Sequence, residues 1–334
     1  MSANISNDRT GQGKSYVGRF CAIDIGTVTC RMLIADAYSS TDGSISIREL
    51  DKQYEVVNLG EGVDATKRLS EAALHRTEAA LEKLMEVLKS FDVPDARVVR
   101  TMSVATSAAR DAENSSEFTN MMKDLGLSLD VISGEQEAAL SFMGASSAYA
   151  GEKVAVVDVG GGSTEVSYGI AGGDVEYSRS FDIGSRRITE RFWDGYPCSI
   201  DRIDDARKWA SAVFSEIPDD VDCKDSRLIA VAGTATSVVT TYLGMRTYDA
   251  EKVNGTIIER DQLKEVEHRL STLNMDELQS VTGLDPRRAP VIVGGMVVLE
   301  EAMRALDAKS YTASESDILE GIVMYNARKY IASK

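Results

Sequence analysis

The chain is poor in the residues on which several common chemistries depend. Of its 334 residues only two are histidine, His75 and His268, and the four cysteines, Cys21, Cys30, Cys198 and Cys223, include no CxxC pair. A structural zinc site needs several thiolate or imidazole ligands at close spacing, and a Ser–His–Asp triad needs a positioned imidazole, so neither is expected. Positive charge is also short: 37 Lys and Arg against 53 Asp and Glu leave a net charge of −16. That balance argues against a partner that is nucleic acid or acidic membrane, although a few cations converging on one groove could still hold a polyanion. No apolar run reaches transmembrane length, and the opening residues are polar with no hydrophobic signal core. Free thiols without an export signal fit a reducing cytoplasm, the expected location. Residues 1–17 read as a flexible leader. Gly13-Lys14-Ser15 imitates part of a phosphate-loop signature, but Asp8 stands where the earlier glycine belongs and no strand precedes it.

What the chain does have is an ordinary globular composition, 43% hydrophobic and 27% charged, and enough length for two domains with separate cores. Its organising stretch is VAVVDVGGGSTEV at 154–166. An apolar run leads to Asp158, followed by Gly160, Gly161, Gly162, Ser163, Thr164 and Glu165. Glycines carry no Cβ, so a ligand can approach the backbone and its N–H groups can point at it, which suits phosphate. Asp158 and Glu165 flank that turn. Carboxylates repel phosphate, so their presence makes sense if a divalent cation sits between them. A tight Gly-rich hairpin is the plain alternative. A second copy of the pattern favours the ligand reading: FCAIDIGT at 20–27 supplies an apolar run, Asp24, Gly26 and Thr27, with the two aspartates 134 residues apart. A repeat at that spacing points to a duplicated domain whose two turns face one another across a cleft.

The remaining elements fit this plan. Residues 20–37 read as strand, turn and strand, 45–59 as further extended chain, and a helix from Ser70 sets Leu74, Leu81, Leu84, Met85 and Leu88 on one face. A strand at 97–106 runs into a helix with Arg110 on its first turn, where a cation opposes the helix dipole; either some other demand places it or it is a solvated surface arginine. After a strand at 127–133, Gly134-Glu135-Gln136-Glu137 opens a helix to about 149; its acids either complement the dipole or include a general base. Strands at 166–170 and 175–181 precede a helix bearing Arg186, Arg187 and Arg191. A helix at 202–217 is followed by a strand at 228–232, which ends in Gly233-Thr234, a third candidate phosphate contact at a helix start. A loop at 283–288 and helices at 263–273, 289–301 and 314–331 complete the chain.

Taken together, AIDIGT at 22–27, NLGEGV at 58–63, ATSAARDAEN at 105–114, SGEQEA at 133–138, DVGGGSTE at 158–165, AGTAT at 232–236 and DPRRAPVIVGG at 285–295 resemble the exopolyphosphatase/guanosine pentaphosphate phosphohydrolase family, within the actin–hexokinase–Hsp70 superfamily. The resemblance implies an α/β fold of two similar ribonuclease H-like or actin-like domains, each with a mixed five-stranded sheet, around an interdomain active-site cleft. The first would span 18–135 plus a returning terminal helix at 316–334, and the second 136–315. By motif match the catalytic glutamate is Glu137, the phosphate-loop acids are Asp24, Asp158 and Glu165, and the Arg and Asn of TSAxRxAxN are Arg110 and Asn114. Val28 and Thr29 stand where the family usually has Asn-Ser, which removes a polar side chain from the first loop. Asn254 stands where many members have His. The chain also stops after the two domains, without the C-terminal helical extension of longer members, which leaves grip on extended polyphosphate and processivity open.

The function expected is hydrolysis of a terminal phosphoanhydride of polyphosphate or guanosine pentaphosphate, with Glu137 activating water. Mg²⁺ (or Mn²⁺) would be held by Asp158 and Glu165 with Asp24 nearby. Phosphate would be bound by Gly26, Thr27, Arg31, Arg110, Asn114, Gly160, Gly161, Gly162, Ser163, Gly233 and Thr234, and Arg110 with some of Arg186, Arg187 and Arg288 would converge on the cleft. A homodimer is left open. Two other readings of the same fold are an ATP-dependent kinase or ATPase, against which SGEQEA argues, and a catalytically weak binder of polyphosphate or guanosine alarmones.

Overall fold

The computed structural model describes residues 14–93 and 97–334. Residues 1–13 of the expected leader lie outside the described residues. Lys14–Val17, counted in the expected leader, belong to strand β1.

Two sheets are built to one plan. In the first, β1 (Lys14–Ile25), β2 (Thr29–Ser40) and β3 (Ile45–Val56) form an antiparallel meander, and β4 (Val98–Ala105) and β5 (Leu129–Val131) extend it in parallel, in the order β3-β2-β1-β4-β5. In the second, β6 (Lys153–Val159), β7 (Thr164–Ile170) and β8 (Val175–Phe181) repeat the meander, and β9 (Arg227–Val231) lies parallel to β6. Two short strands, β10 (Ile257–Glu259) and β11 (Ser310–Ala313), then continue the sheet in the order β10-β11-β9-β6-β7-β8. This sheet has six strands rather than the expected five. β11 occupies the place of β5, and β10 is an antiparallel addition at the edge. Strands this short present too few residues for a period-2 pattern, which is why the sequence did not announce them.

The central strands carry unbroken apolar runs, 20–23 in β1 and 154–157 in β6, because helices cover both faces of their sheets. One face of the first sheet packs its Ile23, Met32 and Ile34 against helices Glu71–Phe91 and Ser115–Asp124. The other face packs Phe20, Leu33 and Val104 against the terminal helix Ile318–Ala332 through Ile318, Leu319, Ile322 and Val323. The terminal helix therefore lies on the first sheet.

Helix Gly134–Ala145 is shared between the halves. Leu140 joins the core of the first sheet, while Phe142 and Ala145 pack on Val154, Val156, Ile229 and Val231 of the second. It crosses the terminal helix at two glycines: a Cβ built on Gly144 would lie 1.8 Å from the Asp317 carbonyl oxygen, and one on Gly321 would lie 1.9 Å from that of Leu140. Only bare backbone fits at this crossing. Among the described residues no helix is long and apolar enough to cross a membrane.

Candidate active site between two facing hairpins

The duplicated hairpins are closed in the same way. Gly26 N–H donates to the Thr29 carbonyl at 2.9 Å, and Gly160 N–H donates to that of Ser163 at 3.0 Å. These two glycines thus spend their donors on the turns. Among the described residues no group accepts from the N–H of Thr27, Val28, Gly161 or Gly162; of these, Thr27, Val28 and Gly161 line the cavity, which leaves their three donors for a ligand. The turns face one another in contact. A Cβ on Gly161 would meet Thr27 Cβ and Val28 Cγ2 at 2.7 Å, and one on Gly162 would crowd Thr27 and Ser107. Glycine at 161 and 162 lets the loops close on each other, and Val28 supplies an apolar face to that closure.

Register carries the repeat further than the motif does. Asp24 of β1 pairs across the ladder with Arg31 of β2, and Asp158 of β6 pairs with Glu165 of β7. One hairpin therefore offers an aspartate and an arginine, the other an aspartate and a glutamate. Arg31 donates from Nε and Nη2 to Asp24 Oδ2 at 3.1 and 2.7 Å, and from Nη1 to Asp317, the N-cap of the terminal helix. Arg31 lines the cleft, but its guanidinium is committed to these two carboxylates. Lys52, paired with Glu320 at 2.9 Å, continues the ion chain behind it.

The identity of the inward-facing acid on helix Gly134–Ala145 follows from its cap. Ser133 Oγ accepts from Gln136 N–H, and the Gln136 side chain accepts from Ser133 N–H, so Gln136 is used at the cap. Glu135 and Gln136 are exposed, whereas Glu137 is 8% exposed. Arg110 Nη1 donates to Glu137 Oε2 at 3.1 Å and to the Ile132 carbonyl at 3.0 Å. The helix of Arg110 is only Ser107–Asp111 and Arg110 lies in its last turn, so the expected conflict with the helix dipole does not arise; the ion pair with Glu137 accounts for its position. One turn on from Glu137, Ser141 Oγ donates to Asp158 Oδ2 at 2.7 Å.

A cavity of about 80 Å³ is lined by Asp24, Glu137 and Asp158 together with Gly26, Thr27, Val28, Gly160, Gly161, Ser163, Gly233, Thr234 and Arg288. Glu165, the cross-strand neighbour of Asp158, is not among the lining residues, and Ser180 Oγ donates to it at 2.7 Å. Burial raises the pKa of all four acids, and repulsion from nearby carboxylates, Asp317 acting on Asp158 and Asp24 and the site's other acids acting on Glu137 and Glu165, adds to this. Asp158 is pushed up to about 6 and Glu165 to about 8, while Glu137 is pushed well above the usual carboxylate range despite Arg110. For Asp24, desolvation outweighs the pull of Arg31, and its Oδ1 is buried with no hydrogen-bond partner. An all-oxygen donor set with uncompensated charge suits Mg²⁺ or Mn²⁺. Among the described residues no three acidic, His or Cys side chains are grouped closely enough to hold a metal by themselves. An ion here would therefore take one or two carboxylates and complete its shell from water and substrate oxygens, the usual manner of Mg²⁺.

The remaining candidates divide. Gly233 and Thr234 open helix Ala232–Tyr242 at the cavity wall. Arg288 lies across Gly233, where any Cβ would coincide with its guanidinium. Half-buried and 5.7 Å over the Tyr54 ring, the Arg288 guanidinium has no ion pair or hydrogen bond among the described residues, and loss of solvent holds its pKa below the ordinary arginine value. A cation so placed favours an anion. Asn114 is not brought to the cavity: its amide accepts from Leu69 N–H at 2.8 Å and donates to the Leu69 carbonyl at 3.1 Å, which clamps a loop. Gly162 faces Ser107 rather than the cavity. Arg186 and Arg187 reach across to the first half and are spent, Arg187 on Asp64 and Asp111 there and on the Gly162 carbonyl of its own half, and Arg186 on Asn58 there and on Glu190 of its own helix. Asn254 Oδ1 accepts from Glu315 N–H at 3.1 Å, away from the acids. Sequence reasoning missed Asp317, Ser141 and Ser180. Asp317-x-x-Glu320 is legible as a capping box, but nothing local shows that its carboxylate meets Arg31.

A second cavity of about 390 Å³ adjoins the first, sharing Arg31, Ala232, Gly233 and Arg288 and adding Lys52, Tyr54 and Tyr248.

A model of the Ppx/GppA phosphatase family matches residues 37–330. Exopolyphosphatase 2 of Mycobacterium tuberculosis is 35% identical over 319 residues, covering 92% of this chain and 98% of that protein. A bifunctional 3-dehydroquinate synthase/phosphatase of Fusobacterium nucleatum is 34% identical over 312 residues, 91% of this chain but 46% of that protein's length, so the chain spans less than half of this relative. The solved structure of an Aquifex aeolicus Ppx/GppA family member superposes with a TM-score of 0.74 at 27% identity, covering 93% of this chain and 98% of that one.

Proposed function

The chain belongs to the Ppx/GppA phosphatase family, and from that premise we propose that it is a hydrolase of phosphoric anhydrides that releases terminal orthophosphate from inorganic polyphosphate or guanosine pentaphosphate. The observation that carries this reading is the meeting, in one cavity, of an inward-facing acid, an arginine with no anionic partner and unsatisfied hairpin N–H groups.

Thr27, Val28 and Gly161 N–H groups, Ser163 and the start of helix Ala232–Tyr242 bind the terminal phosphate. Arg288 binds the next phosphates toward the larger cavity. Glu137, its position fixed by Arg110, holds a water in line with the scissile bond. The water oxygen bonds to the terminal phosphorus as the bridging P–O bond breaks. That electron pair stays on the bridging oxygen, which becomes the new end of the shortened chain, and Glu137 takes the proton of the attacking water. Asp158 and Asp24 would hold Mg²⁺, with Glu165 the cross-strand neighbour of Asp158; when bound, the ion neutralises phosphate charge and aligns the chain. Arg31, held between Asp24 and Asp317, fixes the orientation of Asp24 rather than touching phosphate. Family-level positioning and charge neutralisation of this kind account for most phosphoryl-transfer catalysis.

Orthophosphate release with Mg²⁺ from long polyphosphate, short oligophosphate and guanosine pentaphosphate, with ATP as control, tests the reading. Release from the first three, abolished in Glu137→Gln, is expected. Binding without release would favour the regulatory reading, and preferential ATP turnover the kinase or ATPase one.

A further inference from the structure

In-line displacement imposes a traffic problem. The attacking water lies opposite the leaving chain, so the orthophosphate that forms sits against Glu137, with the shortened chain between it and the larger cavity. Unless the whole chain first dissociates, orthophosphate must leave on the Glu137 side.

The structure has a chamber on that side. About 270 Å³ is lined by Arg110, Gly134, Glu135, Ser178, Arg179, Ser180 and Asp182. Its inner boundary consists of partners of the catalytic acids: Glu137 faces the small cavity while Arg110, its ion-pair partner at 3.1 Å, lines the chamber. Likewise Ser180 lines the chamber and donates to Glu165 at 2.7 Å. Gly134 is pressed against Ser180, where a Cβ would lie 2.4 Å from Ser180 Cβ, so helix start and strand β8 close the wall together. At roughly 30 Å³ per water, the chamber has room for a phosphate and several waters. Its walls offer two guanidiniums and two hydroxyls. Arg179 is anchored on Glu216 and lies 5.0 Å over the Phe181 ring, half exposed, where it faces solvent without touching the acids. Glu135 and Asp182 keep the mouth from becoming a trap: an anion is passed along rather than held.

We propose that this chamber is a binding site for orthophosphate and the route by which it leaves, and by which fresh water reaches Glu137, while the shortened chain stays in the cleft. The inference rests on the hydrolytic reading above. Once Glu137 has taken the proton of the attacking water it is neutral and its hold on Arg110 weakens, so the guanidinium is freed toward the departing anion, which then passes to Arg179 at the mouth. Retention of the chain lets it advance by one phosphate without rebinding.

Two variants outside the catalytic machinery test this. Arg179→Glu removes the outer cation, and Ser178→Trp fills the chamber from β8, at the cost of the 3.1 Å contact between the Ser178 and Ser167 hydroxyls. With short polyphosphate and Mg²⁺, the unsubstituted protein should show orthophosphate inhibition that is noncompetitive with respect to chain. In Arg179→Glu the orthophosphate inhibition constant should rise about 3- to 10-fold with KM for the chain unchanged. Ser178→Trp should keep the single-turnover cleavage rate while steady-state release slows by about an order of magnitude, giving a burst. Strictly competitive inhibition that Arg179→Glu leaves unchanged, together with equal single-turnover and steady-state rates in Ser178→Trp, would overturn the exit while leaving hydrolysis intact. Absence of cleavage in single turnover by the unsubstituted protein overturns the functional reading and the exit with it.

Discussion

Alanine is ordinarily a better helix residue than glycine by about 0.5–1 kcal/mol, so Gly144→Ala and Gly321→Ala should stabilise if local propensity decided. The crossing of helices Gly134–Ala145 and Ile318–Ala332 predicts the reverse. The new methyl carbons would lie 1.8 Å from the Asp317 oxygen and 1.9 Å from the Leu140 oxygen, whereas ordinary contact begins at 3.4 Å. The atoms struck are backbone, so no rotamer change relieves them, and the helices must part by roughly 1.5 Å. Overpacking that shifts backbone typically costs about 1–3 kcal/mol, and this case belongs at the upper end. After the propensity gain, each variant should lose about 2 kcal/mol and melt about 4–8 °C lower. The same displacement moves Glu137 relative to the hairpins, and a shift of about 1 Å can cost about 10²-fold in rate. One separation relieves both clashes, so the double variant should lose less than the sum of the singles. Calorimetry and initial-rate orthophosphate release measure both effects. A raised Tm with unchanged activity in either variant would refute the reasoning.

Glu137→Gln preserves shape and should lower kcat by about 10²–10⁴, whereas the exposed Glu135→Gln should do little; swapped phenotypes would show that the wrong acid has been placed in the cavity. Arg288→Met should raise KM for polyphosphate, and Gly233→Ala, which displaces the same guanidinium, should do so too; an unchanged KM in both would remove Arg288 from the substrate site. EDTA should abolish turnover and Mg²⁺ should restore it; full activity in chelator would refute the metal assignment. In chelator the folded state holds protons on Glu165 and Asp158 that the unfolded chain has already released between about pH 4.5 and 8, so stability should fall as pH rises through that window. Mg²⁺ should then add more to Tm at pH 8 than at pH 5, and a flat pH profile of Tm in chelator would contradict the raised carboxylates.

The duplicated design was legible because it is local. An apolar run, an aspartate and a Gly-hydroxyl turn within one hairpin are adjacent in sequence, and their repetition announced two domains and three of the four acids. Glu137 was legible by motif, and its choice over Glu135 needed only the cap geometry of a single helix turn. What lies across the chain was not legible. Arg31 reads as a cation beside a phosphate loop, yet it is consumed by Asp24 and by Asp317, 286 residues away. Arg186 and Arg187 look free for substrate in the sequence but meet Asn58, Asp64 and Asp111 across the domain boundary. Asn114 matches a family motif yet serves Leu69. Arg288 cannot be told from Arg287 beside it until Asp285 is seen to take Arg287, leaving Arg288 over Gly233. Whether a cation binds substrate depends on whether a carboxylate has reached it first. Sequence alone determined which groups could carry charge and where the backbone could open toward phosphate. Only tertiary structure decided which of those charges stay unpaired, because ion pairing is set by distance in space and spacing along the chain does not encode it.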